Sequence, residues 1–143
     1  MRQEAEKRLG AMFRQINLAF CKAYNRKLER HNLTSPQSDI LMFLAHREGH
    51  QATQRQIEMY LHLKNPTVTG LLNRLEEKQY VKRTQNPRDR RSHVVILTEE
   101  SKKILADMWQ EAQAMEQKIT EGLSEDEKEQ LFRYLEIVLH NFS

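Results

Sequence analysis

This chain of 143 residues has only four glycines, three prolines and one cysteine. The shortage of glycine and proline argues against a sandwich of short strands. A single cysteine excludes an intramolecular disulfide and a multi-cysteine zinc site. The longest unbroken apolar run, residues 40–45, is far too short to cross a bilayer. The first ten residues are charged and show no secretory signal, so we expect one cytoplasmic domain.

Catalytic and metal-binding patterns are missing as well. The six histidines do not form a recognisable ligand set. The chain shows no nucleophile with a base partner, no phosphate-cradling glycine loop and no pair of catalytic carboxylates. We therefore expect neither an enzyme nor a protein that needs a metal or cofactor.

The net charge of +3 conceals an uneven distribution. Residues 1–63 carry a net charge of +4, residues 64–98 carry +5 and residues 99–143 carry −6. A basic middle beside an acidic tail predicts an anionic partner that binds at one place. The acidic tail itself is best explained as solvated helix faces.

Hydrophobic periodicity and capping residues predict six helices and one hairpin. The first helix ends near residues 31–32, and the second begins after the cap Thr34 and ends near Gly49. The third runs from the cap Thr53 to about residue 61. A fourth is opened by the cap Asn65 and runs from residue 66 to about 78. Residues 80–85 and 94–97 are predicted strands around a turn at 86–89, and the last two helices are capped by Thr98 and Ser124.

The fold class that follows is mainly α, with a small β-hairpin wing. Residues 34–98 would form a winged helix-turn-helix head. Residues 1–33 and 99–143 would form long helices whose apolar stripes one copy cannot cover. A two-fold dimer buries such stripes most simply, and an intramolecular bundle remains the alternative.

The fourth helix and the hairpin carry the side chains that suit DNA. Small polar groups on the helix suit base edges in the major groove, although an ordinary exposed face would look the same. Three arginines at one turn are poorly explained by folding, and well explained by contacts with phosphates or a narrow minor groove. Asp89 would pair with a neighbouring arginine. The candidates are Asn65, Pro66, Thr67, Thr69, Gly70, Asn73 and Arg74 on the helix, and Lys82, Arg83, Arg88, Asp89, Arg90 and Arg91 on the hairpin.

Residues 33–101 resemble the MarR family of bacterial winged-helix regulators. The segments that carry the resemblance are LTSPQSDILMFL, residues 53–61, NPTVTGLLNRLEEKQYVKR and DRRSHVVILTEES. The resemblance implies that the fourth helix is the recognition helix, Arg91 the wing arginine and Asp89 the acid that orients it. Gln79 and Ser101 replace two glycines of the family pattern, which bears on local turn geometry.

The resemblance also implies a ligand-responsive repressor that binds a pseudo-palindromic operator on double-stranded DNA as a homodimer. An activator, or a winged helix used as a protein-interaction module, remains an alternative. The implied effector is a small aromatic or lipophilic molecule. Its pocket would be lined by Phe13, Ile16, Phe20, Met42 and His46, which core packing explains equally well. Cys21 is a candidate oxidant sensor, but a buried, inert thiol is the better interpretation.

Overall fold

The computed structural model describes residues 7–143, and the chain divides into two compact units between Ala112 and Gln113. Short 3₁₀ turns lie at Glu29–His31 and Glu48–His50. The mainly helical fold with a small β wing is confirmed. The elements are α1 (Leu9–Leu28), α2 (Ser35–Ala45), β1 (Gln51–Thr53), α3 (Gln54–Leu61), α4 (Asn65–Glu77), β2 (Val81–Asn86), β3 (Asp89–Leu97), α5 (Glu99–Ile119) and α6 (Glu125–His140).

The wing is a three-stranded antiparallel sheet in which β3 lies between β1 and β2. The sequence predicted the β2–β3 hairpin but missed β1, because three residues are too few to show an alternating pattern. Ala52 of β1 faces Val95 of β3, and Val81 of β2 faces Leu97. Strand β3 also begins five residues earlier than predicted, at Asp89, because its polar first half pairs with β2.

The core of the first unit is formed by α2, α3, α4, the sheet, the C-terminal end of α1 and Met108 of α5. Burying a leucine or isoleucine completely stabilises the fold by roughly 1.5–3 kcal/mol. The hydroxyls of Tyr24 on α1 and Ser38 on α2 lie 3.0 Å apart within this core, so their burial leaves both bonded. Fully buried apolar side chains are Leu28, Ile40, Leu41, Leu44, Ile57, Val68, Leu72, Leu75, Val95 and Met108.

A hydrogen-bonded cluster ties α2 to the end of α4. The side-chain oxygen of Gln37, which is buried, accepts from the Thr34 amide at 3.1 Å and from the Lys78 ammonium at 3.1 Å. The same ammonium also donates to the carbonyl of Asn32. Burial, together with the positive charge of Arg74, holds the pKa of Lys78 below its usual value. The C-terminal end of α4 is therefore fixed to the start of α2 and to the loop before it.

Three helix ends use a left-handed residue that is not glycine. Asn32, His62 and Gln79 have φ values of +55°, +54° and +66°. After α4, the amide of Gln79 donates to the carbonyl of Glu76 at 3.0 Å, and the amide of Tyr80 donates to that of Leu75 at 3.0 Å. This is the Schellman arrangement, which most often uses glycine at the left-handed position.

Gln79 and Ser101 thus replace glycine in different settings. The carbonyl of Gln79 accepts from the Thr98 hydroxyl at 2.6 Å, so its strained backbone is held by the start of α5. Ser101 is buried, and its hydroxyl donates to the carbonyl of Thr98 at 2.8 Å. Its amide donates to the Thr98 hydroxyl, which caps α5 as the sequence predicted.

Exposed apolar side chains are concentrated on the two terminal helices, each taken by itself. On α1 only Tyr24 and Leu28 are buried, while Leu9, Met12 and Ile16 are exposed. Helix α6 has no buried residue, and Leu139 is 73% exposed. The N-terminal part of the α1 stripe and much of the α6 stripe are therefore exposed in the single chain. Within residues 7–143, no helix is both long enough and apolar enough to cross a membrane.

We expect Gln79→Gly to stabilise the protein by up to about 1 kcal/mol, because it relieves a left-handed backbone at a side chain that is exposed. Urea unfolding measures the change. The control Glu77→Gly, in the last turn of α4, should instead destabilise by roughly 0.5–1 kcal/mol. Equal losses in both variants would contradict the strain assigned to Gln79.

Candidate nucleic-acid interface

Helix α4 presents a polar face because its apolar face is buried. Val68, Leu72 and Leu75 are fully buried, and Leu71 is half-buried. The helix begins at Asn65, with Lys64 as the extended residue before it. The prediction that Asn65 caps the helix is therefore wrong by one residue: its side-chain oxygen accepts from the Thr69 hydroxyl at 3.5 Å instead.

The candidate residues on the outward side of α4 differ in their exposure and in whether their side chains are hydrogen-bonded. Thr67, Asn73 and Arg74 are exposed, as are Pro66 and Gly70. A side chain at Gly70 would meet no atom of the protein, so packing does not require glycine there.

Thr69 is only half-buried, and its hydroxyl accepts from the Gln54 amide at 2.8 Å. It therefore joins α4 to α3 in addition to facing the surface. This contact fixes the N-terminal half of α4 to the helix before it.

The hairpin turn holds its arginines through backbone contacts. Pro87 and Arg88 form the two-residue turn between β2 and β3. The Asp89 carboxylate accepts from the backbone amide of Arg91 at 3.0 Å. The side-chain amide of Gln85 donates to the backbone carbonyl of Arg90 at 2.9 Å. The prediction that Asp89 pairs with an arginine side chain is wrong, because within residues 7–143 its carboxylate bonds the Arg91 backbone amide and forms no ion pair. Within residues 7–143, the guanidinium groups at 88, 90 and 91 make no hydrogen bond or ion pair.

Arg83 is engaged, unlike those three arginines. Its Nε donates to Glu76 at 2.8 Å and its Nη2 donates to the Asn73 side-chain oxygen at 2.5 Å. Arg83, one of the candidates for DNA contact, is therefore already bonded within the protein. Lys82, the preceding residue on the strand, is exposed. The hydrogen bond and charge of Arg83 hold the pKa of Glu76 below its ordinary value of 4.5.

An open groove of about 1270 Å³ lies between α3, the start of α4 and the hairpin. It brings together five of the predicted candidates, Asn65, Thr69, Arg83, Asp89 and Arg91. Sequence reasoning missed the α3 side of the groove, because nothing in the pattern showed that α3 lies beside the hairpin. The groove residues it missed include Gln54, Arg55, Glu58, His62, Lys64, Ser92 and His93.

The predicted pocket residues lie on α1 and α2, outside this groove. Phe13, Ile16 and His46 are exposed, and Phe20 and Met42 are half-buried. The ring of His46 lies 5.5 Å from the ring of Trp109, a neighbour on α5 that sequence reasoning missed.

Two further expectations concern cysteine and metals. Cys21 is half-buried, with Sγ 3.8 Å from the Asn17 side-chain oxygen, so the expectation of a buried thiol is wrong for the single chain. It lies beside the short buried part of α1, which is confined to Tyr24 and Leu28. In the part of the chain that the structure describes, no three His, Cys, Asp or Glu side chains lie where they could hold a metal ion.

We expect Arg83→Met to raise the pKa of Glu76 toward its ordinary value, because the hydrogen bond that lowers it is lost. Since the folded pKa is lowered, the pair stabilises the fold fully above pH 4.5 and loses this contribution as the pH falls through the folded pKa. Its size is below about 1 kcal/mol, because the pair is exposed. A carbon-13 titration of the Glu76 carboxyl measures the shift. Lys82→Met removes the same charge one residue away, and an equal effect from it would contradict a specific contact.

Comparisons with known proteins identify the same family that the sequence motifs resemble. The profile of the MarR family matches residues 31–92. The HTH-type transcriptional regulators YfiV and YwoH of Bacillus subtilis are 35% and 33% identical over 107 and 121 residues, which are 75% and 82% of this chain. The chain spans 66% of YfiV and 86% of YwoH. The crystal structure of the Staphylococcus aureus MepR–DNA complex superposes with a TM-score of 0.87 at 30% identity, over 95% of this chain and 98% of that one. The chain belongs to the MarR family of winged-helix transcriptional regulators.

Proposed function

We propose that this DNA-binding regulator is a homodimeric, cytoplasmic repressor of a pseudo-palindromic operator, released by a small ligand, and that it has no catalytic role. The observation that carries the proposal is the exposed polar face of α4 beside three hairpin arginines whose side chains have no partner within residues 7–143. The similarity to MepR, which was solved in complex with DNA, supports DNA as the partner of this surface.

Helix α4 is the proposed recognition helix. Thr67, Asn73 and Arg74 are exposed on it and carry the donors and acceptors that base edges require. Gly70 leaves open space where a side chain would stand, so the helix backbone is free to approach the DNA closely there. Asn65 and Pro66 in the first turn, with Thr69, complete the proposed contact face.

The hairpin is the proposed backbone and minor-groove contact. A guanidinium without a partner inside the protein exchanges only hydrogen bonds to water when it binds a phosphate or enters a narrow groove. Arg88, Arg90 and Arg91 meet this condition, and Lys82 adds an exposed positive charge on β2. Asp89 contributes by bonding the Arg91 amide, which fixes the direction in which that side chain leaves the strand.

A homodimer accounts for the apolar surface of the terminal helices. Residues 1–33 and 99–143 are the proposed dimerisation region and residues 34–98 the DNA-binding region of one MarR-like domain. Monomers rarely leave large apolar patches in water. Leu9, Met12 and Ile16 on α1, and Phe132 and Leu139 on α6, are all exposed. In the dimer, the two copies of α4 would enter major grooves about 10 bp apart, one turn of the duplex.

The proposed effector is a small aromatic or lipophilic molecule that binds beside α1 and α2. Phe20 and Met42 are half-buried, and Phe13, Ile16 and His46 supply accessible apolar and aromatic surface. The Trp109 ring beside His46 is the only tryptophan of the chain, so its fluorescence would report binding there.

We expect Arg91→Ala to weaken operator binding by about tenfold or more, because a specific wing contact is lost. Lys82→Ala should lower affinity for all duplexes alike and reduce the salt slope by about one for each lysine lost. Fluorescence anisotropy with operator and unrelated duplexes, at several salt concentrations, separates the two effects. Lys103→Ala, on α5 and outside the groove, is the control. Wild-type binding by both wing variants would show that the hairpin does not contact DNA.

We expect the protein to have about twice the chain mass of 17.1 kDa in solution. Leu139→Glu should shift it toward the monomer, because an exposed leucine proposed for the interface becomes charged. Gln130→Glu places the same charge on the opposite side of α6 and should leave the dimer intact. Light scattering coupled to gel filtration measures both masses. A monomeric wild-type protein would refute the dimer.

A further inference from the structure

Three polar residues form one row along α4, and each has its side-chain oxygen engaged within the protein. Asn65, Thr69 and Asn73 are spaced by four residues, so they lie one above another on the helix. Thr69 accepts from Gln54 at 2.8 Å, Asn73 accepts from Arg83 at 2.5 Å, and Asn65 accepts from Thr69 at 3.5 Å. Each side-chain oxygen of the row therefore has a partner within the protein, while the N–H groups of the two asparagine side chains donate no hydrogen bond within residues 7–143.

Arg83 fixes the orientation of Asn73 unambiguously. A guanidinium has only donors, so the atom of Asn73 that faces it must be the oxygen, and the amide nitrogen must face away. Glu76 holds the guanidinium from its other side at 2.8 Å, and both contacts are charge-assisted. Asn73 is exposed, so its two N–H donors, which lie on the side of the amide away from Arg83, are available to DNA in the proposed complex.

The orientation limits the bases that Asn73 is able to read. An asparagine that recognises adenine with two bonds uses both its oxygen and its nitrogen, accepting from N6 and donating to N7. With its oxygen turned toward Arg83 and held there by a charge-assisted bond, Asn73 presents its N–H donors to the DNA ahead of its acceptor. Guanine presents two adjacent acceptors, N7 and O6, whereas cytosine presents a donor at N4. Guanine is therefore the best match for the outward amide.

We propose that Asn73 reads guanine in each half-site and that Arg83, anchored by Glu76, is the positioning residue that sets this preference. The inference rests on the proposed DNA-binding function. It gives Arg83 a role in contacts within the protein, to Asn73 and Glu76, and not in a contact with a DNA phosphate. Removing the guanidinium frees the Asn73 oxygen, after which adenine becomes an equally good partner.

The test measures a binding profile and not an affinity alone. A fluorescein-labelled duplex selected from a random pool, and every single-base-pair variant of it, are titrated with wild type, Asn73→Ala, Arg83→Met and Lys82→Met. We expect Asn73→Ala to reduce discrimination by about 5- to 100-fold at one symmetry-related pair of positions, where wild type prefers guanine. Arg83→Met should shift preference at those same positions from guanine toward adenine and leave the others unchanged. Lys82→Met, the matched loss of charge, should lower affinity for every duplex by the same factor.

Several results would overturn the proposal. If Arg83→Met behaved like Lys82→Met, Arg83 would be a phosphate contact. If Asn73→Ala kept the wild-type profile, Asn73 would not read a base. Should circular dichroism show that Arg83→Met is unfolded, Glu76→Gln must produce the same shift at the same positions, and an unchanged profile would contradict the inference. A wild-type protein with no preference among the duplexes would refute the proposed function itself.

Discussion

The burial of one face of α4 is the constraint on which the rest of the site depends. Val68 and Leu72, one helical turn apart, and Leu75 are fully buried, so the helical repeat sends Asn73 and Arg74 outward. The Lys78–Gln37 contact holds the C-terminal end of α4, and the Gln54–Thr69 contact holds its N-terminal half. A helix fixed along its core face and at both ends presents its polar face with little freedom, which lowers the entropic cost of binding.

Helix α4 and the hairpin contribute different kinds of contact to the proposed interface. On α4, polar side chains are oriented by internal hydrogen bonds, so they present donors in fixed directions, as base reading requires. On the hairpin, the backbones of Arg88, Arg90 and Arg91 are held, while their guanidinium groups make no hydrogen bond or ion pair in the part of the chain that the structure describes. Neutralising phosphates needs charge more than a fixed geometry. Arg83 lies on the hairpin and its charge suggests a phosphate contact, but it acts by orienting a side chain of α4.

The sequence predicted most of the elements and far less of the contacts among them. Capping patterns at Thr53 and Ser124 placed helix starts correctly, because these signals are local. Strand β1 was missed because its pairing with β3 is a contact distant in sequence. For the same reason, neither the Arg83–Asn73 bond nor the α3 side of the groove was predicted. Asp89 was predicted to lie in the turn but begins β3, and it bonds the backbone amide of Arg91 where an arginine side chain was predicted, because residue types do not show which local backbone group a carboxylate meets.

The central claim is that two copies of α4 read DNA together. The sequences of duplexes that the protein selects from a random pool test it most directly. We expect an enriched two-fold symmetric motif whose half-sites lie about 10 bp apart. The two copies of α4 would then enter successive major grooves on the same face of the duplex. Selection of no motif, or of a single asymmetric half-site, would contradict it.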